Sequence, residues 1–346
     1  MMYPILSADS VRTLRRLPML AACMTPALLA ACGGGGDAEV VPAGPRAVDI
    51  RFATVAGATP VDCGTASIPN LGTTNATGRL QDARFYVSNV SLVRADGSEA
   101  PLTLPPNDNW NATSGSDRVT LVDLENRTGG CQGTVETNPS VKGTVPAGNY
   151  VGVKMTIGVP FSLNHTNQGG GLDVTPAAVN NAVHPGMAWA WASGRKFAKI
   201  ELTDVLANQP AGTPGKWTAS VFNVHLGSVN CTGNNPAAGQ VSACEAQNRV
   251  AVNFAAFNPE TQKIDVDVRA LLGANNVTAN VSGPTGCMSG LSDFECTEVF
   301  KALQLGFNGA APAGAAFTIT KVGDAATFGL PINSGAAQAV FKVSAR

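Results

Sequence analysis

Three histidines and one aromatic segment hold most of the chemistry this sequence can offer. His165, His184 and His225 are the only imidazoles in 346 residues. His184 opens His184-Pro185-Gly186-Met187-Ala188-Trp189-Ala190-Trp191, an H-x-x-M-x-W-x-W pattern with two of the four tryptophans. If 187–192 is a strand, alternate side chains point to opposite faces, so Met187, Trp189 and Trp191 share one face and alanines take the other. A thioether and two indoles then stand close to an imidazole. His225 ends a second apolar run, on the face opposite Phe222, Val224 and Leu226, where it need not belong to the core. His165 sits in a polar loop, Leu163-Asn164-His165-Thr166-Asn167.

Imidazole and thioether donors with few carboxylates nearby suit a soft or borderline ion, Cu(I) rather than Mg2+ or Ca2+. The histidines lie 19 and 41 residues apart, however, which is no local metal motif. A Met/Trp/Trp face is also what the core of a β domain ordinarily uses. The residues alone leave both readings standing. Catalytic signatures are missing: no Gly-rich phosphate loop, no H-E-x-x-H, no G-x-S-x-G elbow and no C-x-x-C-H haem site. Carboxylates fall in no suggestive motif, so the chain reads as a binding protein and not an enzyme.

Strands must position these residues. Ala47-Val48-Asp49-Ile50-Arg51-Phe52 alternates apolar and polar, as a half-buried strand does, and 84–93 repeats the pattern with β-branched and aromatic enrichment. Further runs fall at 119–124, 148–158, 187–192, 196–202, 216–226, 249–257, 264–268, 316–322 and 339–343. Turn-forming clusters separate them; the chain holds 38 glycines and 22 prolines. The expected fold is all-β, a sandwich or jelly-roll-like arrangement of antiparallel sheets with long loops. Short helical turns are expected only at 266–272 and 298–305.

The N-terminus and the cysteines place the chain in an oxidising compartment. Arg12, Arg15 and Arg16 precede an apolar run over 17–31, shorter than the about 20 residues that span a bilayer. This is the layout of a secretory signal peptide. It ends in Leu29-Ala30-Ala31-Cys32, which resembles the lipobox of bacterial lipoproteins and implies a lipid on Cys32. Gly33 follows where an aspartate would retain the protein, which by analogy with Gram-negative sorting favours the outer membrane. The glycine-rich stretch over 32–46 reads as a flexible tether, and 47–346 as one β-rich domain. Six cysteines remain after Cys23 and Cys32: Cys63, Cys131, Cys231, Cys244, Cys287 and Cys296. Of 15 possible connectivities, order and loop length favour Cys63–Cys131, Cys231–Cys244 and Cys287–Cys296. No pair has C-x-x-C metal-ligand spacing. With 23 basic against 24 acidic side chains and no basic stripe, no nucleic acid is expected as a partner.

A set of ordered segments resembles the MbnP-like family, the metallo-mystery pair system four-Cys motif proteins. They are Phe52 with Cys63-Gly64, Arg84-Phe85-Tyr86-Val87-Ser88-Asn89-Val90, and Leu121-Val122-Asp123-Leu124-Glu125 before Gly130-Cys131. Gly158-Val159-Pro160-Phe161 with Leu163-Asn164-His165 follows, then the whole His184–Gly194 segment and Phe197-Ala198-Lys199-Ile200-Glu201. His225-Leu226-Gly227-Ser228 before Cys231, and Cys287-Met288-Ser289-Gly290 before Cys296, complete the series. The resemblance implies an exported copper-binding protein. It also implies a partner, a di-haem cytochrome c peroxidase-like (MbnH-type) protein that oxidises a tryptophan to kynurenine. By the same resemblance Trp189 and Trp191 are the candidates for oxidation. His184 and His225 are the first expected copper ligands, followed by His165 and Met187. Two other functions are compatible with the sequence: a structural or adhesive surface lipoprotein, and a copper-dependent periplasmic enzyme.

Overall fold

The alternation that begins at Ala47 drives an eleven-residue strand, Arg46–Ala56, with Val48, Ile50 and Phe52 turned inward and Ala47 and Arg51 outward. In the computed structural model, which describes residues 44–166, 176–189, 194–205, 221–236, 240–333 and 338–346, this strand anchors the smaller of two main sheets. It pairs antiparallel with Ser140–Val145 and parallel with Gln262–Asp267, which in turn pairs antiparallel with Phe341–Ala345. The segment expected as a signal peptide, Cys32, most of the expected tether and Trp191 lie outside the described residues.

The larger sheet is built around Ala76–Val93, an eighteen-residue central strand. It pairs antiparallel with Asp117–Asp123, Gly152–Ile157 and Ala198–Thr203, and the last of these continues to Val221–Leu226. A two-residue strand, Gly286–Cys287, closes that edge in parallel. The two sheets face each other through aromatic contacts. Phe85 of the central strand meets Phe52 at 5.3 Å and Phe341 at 5.9 Å between ring centroids, both edge to face. The β-sandwich is therefore mainly antiparallel, with two parallel strand pairings among the described residues.

Both faces of the central strand are buried, which explains its nearly continuous burial. Phe85 and Val87 point into the sandwich, while Asp82, Arg84 and Tyr86 point the other way, under the segment 176–189. The Tyr86 hydroxyl donates to the Ala178 carbonyl at 3.0 Å, and Arg84 Nη1 donates to the Pro185 carbonyl at 3.2 Å.

One expected strand is not found among the described residues, and another is described only in part. The run 316–322 contributes one bridge, Val322 to Phe307, because among the described residues no strand lies beside it to extend that pairing. Within 187–192, Ala188 makes one bridge to Arg195 and residues 190–192 lie outside the described set. The helical turns occur as Val268–Leu272 and Cys296–Ala302. The first starts later than expected because Val266 and Asp267 stay in the sheet, and Asp267 caps the helix by accepting from the Arg269 and Ala270 amides.

All three disulfides join the pairs that order and loop length favour. Cys63–Cys131 spans 68 residues and is buried at both ends. Replacing both by alanine is expected to cost about 2–5 kcal/mol, chiefly by freeing the unfolded chain. Urea unfolding of the double variant measures this.

Candidate metal centre

A row of charges crosses the covered face of the larger sheet. Arg84, Lys199 and His225 are in register across three strands, and so are Asp82, Glu201 and Asn223 one step away. Partners in antiparallel register share a face, so sequence alternation alone gathers these groups. Arg84 pairs with Asp82 at 2.6 Å, Lys199 bridges Asp82 and Glu201 at 2.5 and 2.9 Å, and His225 meets Glu201 at 2.6 Å. Gln81 donates to the second Glu201 oxygen at 2.7 Å. All these charges are buried or nearly so, and only mutual pairing makes that tolerable.

His225 does lie opposite Phe222, Val224 and Leu226, as its position in the strand requires. It is nonetheless 5% exposed, because the polar face is roofed over and not open to solvent. Burial opposes ionisation of Glu201, but the His225 hydrogen bond, Lys199 and Gln81 outweigh it and hold this carboxyl below the usual carboxylate range. An ionised carboxylate only accepts, so His225 Nε2 carries the proton and Nδ1 the lone pair. That Nδ1 is buried and has no hydrogen-bond partner among the described residues. Burial lowers the imidazole pKa, against the opposing pull of Glu201, and keeps the ring neutral. A neutral imidazole oriented by a carboxylate on its far nitrogen is the usual form of a metal-binding histidine.

His225 lines a cleft of about 360 Å3 together with Trp189, Lys196, Met288 and Asp293. Different elements deliver each group. Trp189 N–H donates to the Gly194 carbonyl and Lys196 N–H to the Met187 carbonyl, and both Trp189 and Lys196 line the cleft. The Trp189 ring packs directly over Gly227, where a Cβ would come within 2.3 Å of the indole, so only glycine admits the ring. Met288 reaches the cleft from a different part of the chain. It follows Cys287, which pairs beside Val224 and is tied to Cys296, and its amide donates to Asp293 Oδ2 at 2.9 Å.

Burial, reinforced by Glu295 although offset by the Met288 amide, pushes the Asp293 carboxyl up to about 8. Burial and the like charge of Lys199 bring the Lys196 ammonium down to about 8. The cleft wall near neutral pH thus offers imidazole, thioether and indole, with its carboxyl largely protonated. The folded state keeps a proton on Asp293 that the unfolded chain, with an ordinary value of 3.8, has released. This carboxyl therefore costs stability progressively as pH rises from about 4 to about 8. Asp293→Asn is expected to match the metal-free wild type near pH 4 and exceed it at pH 8 in urea unfolding.

The other expected ligands lie elsewhere. His184 donates Nε2–H to the Asn109 carbonyl and stacks on Trp110 at 5.0 Å. Its Nδ1 is likewise buried and without a hydrogen-bond partner among the described residues, but His184 does not line the cleft. Burial lowers its pKa too. Met187 packs in the main hydrophobic core. His165 follows the short helix Phe161–Asn164 and sits beside Cys231 and Cys244, three ligand-type atoms lying within 4.8 Å of one another. Those sulfurs are joined as a disulfide. No motif or spacing in the sequence marks Glu201, Met288 or Asp293 as a site residue. The alternation of 198–202 does place Glu201 on the face of Lys199, a signal that pairing with the His225 strand turns into contact.

The MbnP family model matches residues 45–289. A solved structure, MbnP from Methylosinus trichosporium, superposes with a TM-score of 0.69 at 32% identity, covering 87% of this chain and 99% of that one. No curated protein matches.

Proposed function

Because this chain belongs to the MbnP family, we propose that it is a periplasmic copper-binding lipoprotein whose centre lies in the His225–Trp189 cleft. The observation that supports this most is the buried lone pair of His225 Nδ1, set by Glu201 in a cleft that also holds a tryptophan and a thioether. His225 would give an imidazole nitrogen and Met288 a thioether to Cu(I), donors suited to a soft ion. Trp189 is the residue we assign for oxidation to kynurenine by a di-haem cytochrome c peroxidase-like partner. Ring opening adds an aromatic amine and a ketone to a wall that was apolar. Bound copper would supply one-electron redox chemistry or simply be cargo for acquisition, storage or delivery.

The protein's own residues do the selecting. Glu201 fixes the His225 tautomer, the protonated Asp293 withholds an anionic oxygen that would favour harder ions, and Gly227 keeps Trp189 over the cleft. Lipidation at Cys32 and the glycine tether would hold the domain near the outer membrane while leaving it free to meet its partner. Anaerobic Cu(I) titration against a competing chelator, before and after exposure to the di-haem protein, tests this reading. One tightly bound equivalent should appear after exposure; no gain would sink it.

A further inference from the structure

We infer that His165, Cys231 and Cys244 form a second, thiol-gated metal site, closed in the disulfide state and opened by reduction. Cys231 and Cys244 face each other across a two-stranded hairpin, Val229–Thr232 with Ala243–Ala246, which forms a small sheet of its own. Their Cα atoms are 3.9 Å apart in register, so the ladder keeps the two sulfurs adjacent after the bond is broken. The other two disulfides are buried in the core, with cysteines no more than 6% exposed, whereas Cys231 and Cys244 are both half-buried and within reach of a reductant.

His165 completes the group. It is 7% exposed, and its Nε2 lies 3.3 Å from Cys244 Sγ and 3.9 Å from Cys231 Sγ. Its tautomer follows from its neighbours. Asn164 Oδ1 accepts from the Arg195 amide at 2.8 Å, which fixes the side-chain amide, so Asn164 Nδ2 must be the atom 3.0 Å from Nε2. An amide nitrogen only donates, so Nε2 carries the lone pair, which accepts from Asn164 in the disulfide state and would be taken over by a metal held between the two thiolates 3.3 and 3.9 Å away. A disulfide is a feeble donor, while a thiolate is both nucleophile and metal ligand.

The gating step is an exchange with a dithiol. Its two S–H bonds break and its own disulfide forms, while the Cys231–Cys244 bond takes up two electrons and two protons to give two thiols. Metal binding then releases both thiol protons to solvent. One imidazole and two thiolates favour a borderline or soft ion of the Zn2+ or Cu(I) class over Mg2+ or Ca2+. This site uses no residue of the cleft and stands whether or not the cleft binds copper.

The test uses the full-length protein, treated with dithiothreitol that is then removed anaerobically, and Co2+ as the probe, so that copper does not populate the cleft. Thiols are counted and mapped by alkylation. The oxidised protein should show no thiolate-to-cobalt charge-transfer band. Relative to the oxidised protein, the reduced protein should gain two thiols, mapped to Cys231 and Cys244, and should bind one equivalent of Co2+ with that band, displaced by Zn2+. His165→Gln should keep both thiols and bind Co2+ at least about tenfold more weakly, since even supporting residues are worth that much. The Cys231→Ser/Cys244→Ser variant, checked for native circular dichroism, should give no band. Two mapped thiols without a band, a band that survives the double substitution, or undiminished affinity in His165→Gln would each overturn the inference. Release of all six thiols under the same treatment would overturn the selective gate.

Discussion

His225→Gln is expected to lower Cu(I) affinity by about two orders of magnitude or more while leaving the domain folded. The glutamine side chain can still donate to Glu201, so the buried carboxylate keeps a partner and the Lys199–Glu201 pair survives. What is lost is the Nδ1 lone pair of the histidine that lines the cleft. Glu201→Gln should have a smaller effect of the same sign, about 10–100-fold, because it removes the carboxylate that orients the ring and not the ring itself. Competition titration gives both affinities, and thermal unfolding checks that neither variant has lost the fold. Equal affinity in wild type and His225→Gln would move the centre elsewhere, with His184 the next imidazole to test.

Arg84→Met is expected to cost about 3–5 kcal/mol of stability, the penalty for leaving a buried charge without its partner. Arg84 is 1% exposed and grips Asp82 with two nitrogens, Nε at 2.9 Å and Nη2 at 2.6 Å. Lys199 also reaches Asp82, but it is shared with Glu201, so its charge cannot satisfy both carboxylates alone. Arg84 also holds the Pro185 carbonyl, and its loss loosens the segment that carries His184 and Trp189. Urea unfolding measures the cost. The double variant Arg84→Met/Asp82→Asn should recover part of it, since these two residues are in direct contact and their effects are not additive.

Much of the sandwich can be read in the chain. The period-two runs at 47–52 and 84–93 become the anchor strand of one sheet and the central strand of the other, because long alternation with β-branched and aromatic residues has few other uses. The cysteine pairing is legible for a simpler reason, since neighbouring cysteines close the shorter loops. Ser140–Val145 carries a lysine, a glycine and two hydroxyl residues, and forms a strand because Arg46–Arg51 lies beside it. Such strands are made by their neighbours and leave little trace in local sequence. Conversely, 316–322 has strand composition but, among the described residues, no adjacent strand to extend its single bridge.

The site follows the same division. That His225 faces away from Phe222 and Val224 is plain from alternation. That the face is buried is not, because its roof comes from the segments around 178–189 and 283–293, far along the chain. Glu201 reaches His225 across 24 residues and Met288 arrives 63 residues after it, so no spacing rule links them. His184 and Met187 show the reverse. They belong to the motif that draws attention in the sequence, yet one is turned to Asn109 and Trp110 and the other packs in the core.

The centre proposed here stands or falls with one tryptophan. Peptide mass spectrometry of the segment 184–196, from protein matured with its di-haem partner, tests it most directly. Conversion to kynurenine, the loss of one carbon and gain of one oxygen, should be found at Trp189, whose ring lies over Gly227 in the cleft with His225. An unchanged Trp189 in protein that has been exposed to the active partner would contradict this account.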